Sequence, residues 1–161
     1  MTIFGKPLSE YVNFQKVILG LILVVGLTRL ALSLAGVSNS MTKWLSISVV
    51  TLIGLVYYSI RVHTTGFGSY KQLLPLHVIQ NFVANLIIAA GIVIAIFTGQ
   101  DNIFSAPEYS GGGDGKNWLH VAAHMVLGVG VGSLLGWLVG CVILWVVKKA
   151  APKGKATAAG M

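Results

Sequence analysis

The sequence predicts an all-α polytopic membrane protein, a bundle of four transmembrane helices with both termini on the cytoplasmic side. Three observations carry this. Of 161 residues, 55% are hydrophobic and only 9% charged, whereas soluble domains are roughly a quarter charged. The apolar residues fall into four runs, each of a length that crosses a bilayer core. The basic residues cluster in alternate connectors, as topology signals do.

The first span is expected over residues 14–36, after a polar stretch holding Lys6, Glu10 and Lys16. Ser33-Leu34-Ala35 faintly resembles a signal-peptide cleavage site, but the apolar run exceeds a signal's hydrophobic region, so an uncleaved span is expected. The second span covers 44–60, between Lys43 and Arg61, with Trp44 at one end and Tyr57-Tyr58 at the other. Such aromatic residues sit at membrane interfaces. The third covers 72–98, and Pro75 falls early enough that its missing amide costs little. The fourth covers 117–147. Residues 1–149 thus form one four-span domain, and 150–161 a basic flexible tail.

Lys6, Lys16, Arg61, Lys71, Lys148, Lys149, Lys153 and Lys155 fall on one side of this scheme. Only Lys43 and Lys116 fall on the other, with Asp101, Glu108 and Asp114. The positive-inside rule then puts both termini in the cytoplasm, and the expected location is a bacterial inner membrane. The formal charge of +7 reads as topology signal. Nucleic acid is not an expected partner, because the bases are scattered and not interleaved with aromatics.

The strongest pattern lies in the fourth span, where His120, His124, Gly128, Gly132, Gly136 and Gly140 recur at every fourth position. Glycines so spaced let another backbone approach closely. On a regular α-helix the row advances about 40° per step, so it is expected to wind around the helix. It predicts packing within the bundle or against another subunit.

Polar residues inside a membrane are costly and mark function or helix packing. His77, Gln80, Asn81 and Asn85 fall within an arc of about 140° on span three. They read as interhelical hydrogen-bonding groups, or as an inner-leaflet quinone or small-solute site with Tyr57, Tyr58 and Arg61 at similar depth. Arg29 lies roughly 10 Å inside the outer end of span one. There it snorkels, pairs with Asp101, Glu108 or Asp114, or contacts an anion. His63 is expected in a solvated connector.

His120 and His124, one turn apart beside an acidic loop, are candidate metal ligands if a loop carboxylate joins them. Otherwise they are structural. His77 is on the order of 20 Å from them in depth, which rules against a bis-histidine haem within one chain. A haem or metal shared with a partner stays open, and the sequence requires no cofactor. The single cysteine, Cys141, excludes an intrachain disulfide. The run Gly111–Lys116 lacks the spacing of a phosphate-binding loop and reads as a flexible turn.

No nucleophile–base group or intramembrane carboxylate pair is present, so the expectation is a non-enzymatic membrane protein. Its leading form is a subunit or self-associating component of a membrane complex packed through the span-four glycines, with the bilayer and other transmembrane subunits, or itself, as partners. The alternative is a redox or metal-handling protein using His120 and His124 or a quinone site near His77. A small transporter is less favoured, for want of an intramembrane acid and of inverted repeats.

Overall fold

The computed structural model describes residues 2–110 and 112–151. Most of the tail expected over 150–161, from residue 152 onward, lies outside them. Four helical stretches are long and apolar enough to cross a membrane: Leu8–Leu34, Asn39–Thr64, Tyr70–Thr98 and Trp118–Ala150.

A two-residue hairpin opens the chain, pairing β1 (Thr2–Ile3) with β2 (Lys6–Pro7) through Phe4 and Gly5, both at positive φ. Helix α1 (Leu8–Leu34) starts six residues before the expected span, directly after Pro7. The polar start is itself helical, with Glu10 in its first turn paired to Lys6 at 2.7 Å. The helix ends where Gly36 takes φ +79°, a left-handed conformation that only glycine adopts without cost.

A short helix α2 (Asn39–Thr42) carries the chain to α3 (Ile47–Thr64). Ser46 caps α3 by accepting the Val49 N–H at 3.4 Å. This helix runs four residues past the expected boundary. His63, expected in solvent, is instead buried and donates from Nε2 to the Ala151 carbonyl at 2.8 Å. That bond to the chain's far end is invisible in a local reading.

Helix α4 (Tyr70–Thr98) begins with Gln72 Oε1 accepting the Ser69 N–H at 2.8 Å and ends at Gly99, φ +70°. The loop that follows folds back over the bundle. Asn102 is buried, donates from Nδ2 to the Gly91 carbonyl at 2.7 Å and accepts the Phe104 N–H at 2.9 Å. Ile103 and Phe104 are buried by the same loop.

The fourth long stretch is not uniform. It starts as α5 (Trp118–Ala123), capped by the Asn117 side chain accepting the His120 N–H at 2.8 Å. It then widens to a π-helix over His124–Val131 and resumes as α6 (Gly132–Ala150).

Helices α3 and α4 form the centre of the bundle. Helix α1 packs on both from one side, and α6 packs on both from the other. The π segment and α5 lie against α4. Hydrogen bonds identify the ends. At one end Gln72 reaches the Phe4 carbonyl and Lys148 reaches Ser69; at the other, Ser33 accepts from Ile103 and Asn39 donates to Glu108. The long helices therefore alternate in direction. Lys6, Arg61, Lys71, Lys148 and Lys149 gather at the first end, and Lys43, Lys116, Asp101, Glu108 and Asp114 at the second.

Candidate functional site: the seam between the third and fourth helices and the cleft beside it

The glycine row and the polar stripe, read separately in the sequence, are two sides of one antiparallel seam. A Cβ added to Gly128 would collide with the Asn85 side-chain oxygen. At Gly132 it would meet Asn81 Nδ2 at a comfortable 3.8 Å and the Leu127 carbonyl oxygen at 3.9 Å. At Gly136 it would stand 3.3 Å from His77 Nδ1, and at Gly140 3.0 Å from His77 Nε2 and 3.1 Å from Ser59 Oγ. The glycines descend by fours while the α4 residues ascend by fours, so the two rows stay in step.

The expected winding of the row does not occur along 128–140. In a helix of 3.6 residues per turn, a four-residue repeat drifts forward around the axis. A π turn closes on the fifth residue and holds more than four residues, so it carries the same repeat backward. The His124–Val131 segment offsets the drift of the α-helical part and holds the row toward α4. Only at Gly140 does α3 join, through Ser59.

Direct bonds cross the seam. His124 Nδ1 donates to Asn85 Oδ1 at 2.9 Å, and Asn85 Nδ2 donates to the Asn81 carbonyl at 2.9 Å. Asn81 Nδ2 donates to Ser133 Oγ at 3.2 Å, and Ser133 donates to the His77 carbonyl at 3.3 Å. Gln80 turns the other way and donates to the Thr51 carbonyl of α3 at 3.1 Å. The stripe thus stitches α4 to α3 and α6.

Beside this seam the helices part. Thr51, Leu52, Leu55 and Val56 of α3, His77, Gln80 and Asn81 of α4, and Gly132, Leu135, Gly136, Val139 and Ile143 of α6 surround a cleft of about 540 Å³. Its rim residues Leu52, Val56, Leu135 and Val139 are exposed on the outside of the bundle, so it opens sideways and not toward either end. Its wall is almost wholly apolar. Its polar residues come from α4, apart from Thr51. His77 is 1% and Gln80 2% exposed, and His77 Nε2 and Gln80 Oε1 have no hydrogen-bond partner. Tyr58 stands behind, its ring 6.1 Å from that of His77 and its hydroxyl equally unpartnered. Of the residues expected at that depth with it, Tyr57 is half-buried and Arg61 lies outward, with its guanidinium 5.6 Å from the Tyr57 ring.

Gln15 is the residue that the sequence reading missed. It is wholly buried, with neither amide atom bonded. The available signal was its register: it falls in the α1 row of Tyr11, Ile18, Leu19 and Ile22, all of them buried.

At the opposite end the His120 and His124 rings lie tilted to each other, with centres 5.0 Å apart. His120 Nδ1 donates to the Gly115 carbonyl at 2.9 Å. Both rings therefore carry the Nδ1 proton, so that Nε2 is an acceptor in the neutral form. The loop carboxylates are engaged elsewhere. Asp101 and Asp114 lie 2.8 and 3.4 Å from Lys116 Nζ, and Glu108 accepts from Asn39 at 2.8 Å. Among the described residues no three His, Cys, Asp or Glu side chains gather as metal ligands. The Lys116 backbone N–H, more than its ammonium, holds the Asp114 carboxyl below its ordinary value, while Asp101 above all raises that of Lys116. Arg29 lines a separate small cleft with His124.

Comparison with profiles of known protein families, with curated proteins and with solved structures finds no match to this chain.

Proposed function

We propose that this is a non-enzymatic integral membrane protein that holds a lipophilic small molecule in the lateral cleft between α3, α4 and α6. The molecule has an apolar body and a small hydrogen-bonding head, as a quinone does. The observation that carries the reading is the cleft itself. Its volume falls within the range of small-molecule sites, roughly 300–1,000 Å³, and such sites are mostly apolar with few polar groups. Its mouth faces where acyl chains would lie, and Thr51, His77, Gln80 and Asn81 are the few polar residues of its lining, as such sites require for orienting a polar head.

The same reading inserts all four long helices in the bilayer, with the basic end cytoplasmic under the positive-inside rule. His77 then lies in the inner half of the membrane. Gly128 and Gly140 are taken up by packing inside the bundle, so a second subunit would reach the row only through the cleft, at Gly132 and Gly136.

Binding of decylubiquinone to the full chain in lipid nanodiscs tests the proposal. Gly132→Leu would project into the cleft from a position with room for a Cβ; it should weaken binding by about tenfold or more, the loss of one buried contact. Leu138→Phe, on an exposed face outside the cleft, should leave binding unchanged. Equal binding by all three proteins would refute the cleft as the site. A polypeptide that crosslinks from Leu135 and Val139 in native membranes would replace the small molecule with a partner helix.

A further inference from the structure

The outward face of α3 holds a second, shallower hollow of about 500 Å³, lined by Val49, Leu52, Ile53, Val56 and Tyr57. Leu52 and Val56 border both this groove and the cleft beside the seam. Val49, Ile53 and Tyr57 recur at every fourth position, and the next place in their row is Arg61. Residues so spaced stand one above another on a helix, so the row ends in a cation. We propose that the groove seats an acyl chain of an anionic phospholipid whose headgroup sits at Arg61. This rests on the bilayer insertion of the four helices and not on a ligand in the cleft beside the seam.

Length supports it first. From Val49 to Arg61 the row rises roughly 18 Å, at 1.5 Å per residue. One leaflet contributes half of a hydrocarbon core about 30 Å thick, so the row covers about the depth of one acyl chain. Apart from the Tyr57 hydroxyl the lining is wholly apolar, and Val49, Leu52, Ile53 and Val56 are exposed on the outside of the bundle.

Charge supports it second. Arg61 is exposed, and its guanidinium lies 5.6 Å from the Tyr57 ring, which holds it at the end of the groove. Glu10 is the one acidic side chain at this end among the described residues, and Lys6 takes it at 2.7 Å. Asp101, Glu108 and Asp114 are engaged at the opposite end. The phosphates of an inner leaflet are then the anions that face Arg61, and a guanidinium meets a phosphate through two parallel N–H bonds. A net negative headgroup adds the attraction that anionic leaflets exert on basic side chains at their surface.

Native mass spectrometry of the full chain in detergent micelles tests this, with titration by phosphatidylglycerol or by phosphatidylcholine of the same acyl chains. The first phosphatidylglycerol should bind about fivefold more tightly, the gain from one basic side chain at an anionic surface. Arg61→Gln should lose most of that preference and Arg61→Lys keep part of it. Lys149→Gln, at the same end but over the Trp145 ring of α6, should leave it in place. Ile53→Trp fills the groove from an exposed position that does not line the cleft, and should weaken retention of both lipids. Equal affinity for the two lipids overturns the proposal, as does an equal effect of Arg61→Gln and Lys149→Gln, which would mean attraction to the basic end as a whole. A lipid-free dimer abolished by Ile53→Trp would give the groove to a second copy and overturn it too. Retention of neither lipid, by a chain that also fails to enter vesicles, would overturn bilayer insertion along with it.

Discussion

Gly128 and Gly132 are chemically identical positions one repeat apart, and the structure assigns them opposite responses to the same substitution. At Gly132 an added methyl has room, with its nearest neighbour 3.8 Å away. Replacing glycine by alanine inside a helix is favourable by about 0.5–1 kcal/mol when nothing opposes it. At Gly128 the methyl meets the Asn85 side chain, which is fastened by His124 on one side and the Asn81 carbonyl on the other. Moving Asn85 breaks the interhelical bond, worth about 0.6 kcal/mol within membranes, and adds overpacking strain of about 1–3 kcal/mol. Gly128→Ala should therefore be less stable than Gly132→Ala by roughly 1.5–4 kcal/mol. Reversible unfolding in mixed detergent micelles measures the difference. The collision also predicts coupling: in an Asn85→Ala background, Gly128→Ala should lose most of its cost. Equal stability of the two alanine variants, or a cost that persists without Asn85, would refute the seam.

Other outcomes follow from the same geometry. Gly54→Ala should be among the most damaging single changes, because the methyl would collide with Gln80 and stand 2.9 Å from Ile18 Cγ2; thermal unfolding checks it against Gly20→Ala, where the space is open. Asn102→Ala should release the loop from α4 by removing its bonds to Gly91 and Phe104, at a cost of about 1–3 kcal/mol, read as faster hydrogen exchange at Ile103 and Phe104. Asp114 has its carboxyl depressed below 3.8, so what it contributes is present above that pH and fades as the pH falls below it. Lys116 is raised above 10.5, so its share is present below that value and fades above it. The loop around them should show no transition from these two groups between pH 5 and pH 9, followed through the amide resonances of residues 101–116; a midpoint inside that window would contradict the assignment. His120→Ala with His124→Ala should leave metal content unchanged, measured by elemental analysis.

The four helices were legible because hydrophobic run length is a property of the sequence alone. Their boundaries were less so: the polar start of α1 and the end of α3 at His63 depend on partners far along the chain, Ala151 in the second case. The glycine row and the polar stripe were both visible, but their pairing was not, because a regular helix would have wound the row away from a single neighbour. The π segment that keeps it in place has no mark in local propensity. It accompanies the His124–Asn85 bond, a contact between residues 39 apart. The cleft beside Gly132 and Gly136 is likewise a property of how α3 and α6 diverge, and no sequence period encodes it. Burial of Asn102 was hidden by its place in an acidic, glycine-rich connector.

A lateral cleft occupied by a lipophilic small molecule should keep that molecule when the chain leaves the membrane. Native mass spectrometry of the chain ejected directly from its own membranes measures this without a chosen probe. One small lipophilic molecule should be retained per chain through collisional removal of bulk lipid, and be lost from Gly132→Leu. Bare chains from both proteins, or an identical adduct on both, would contradict it.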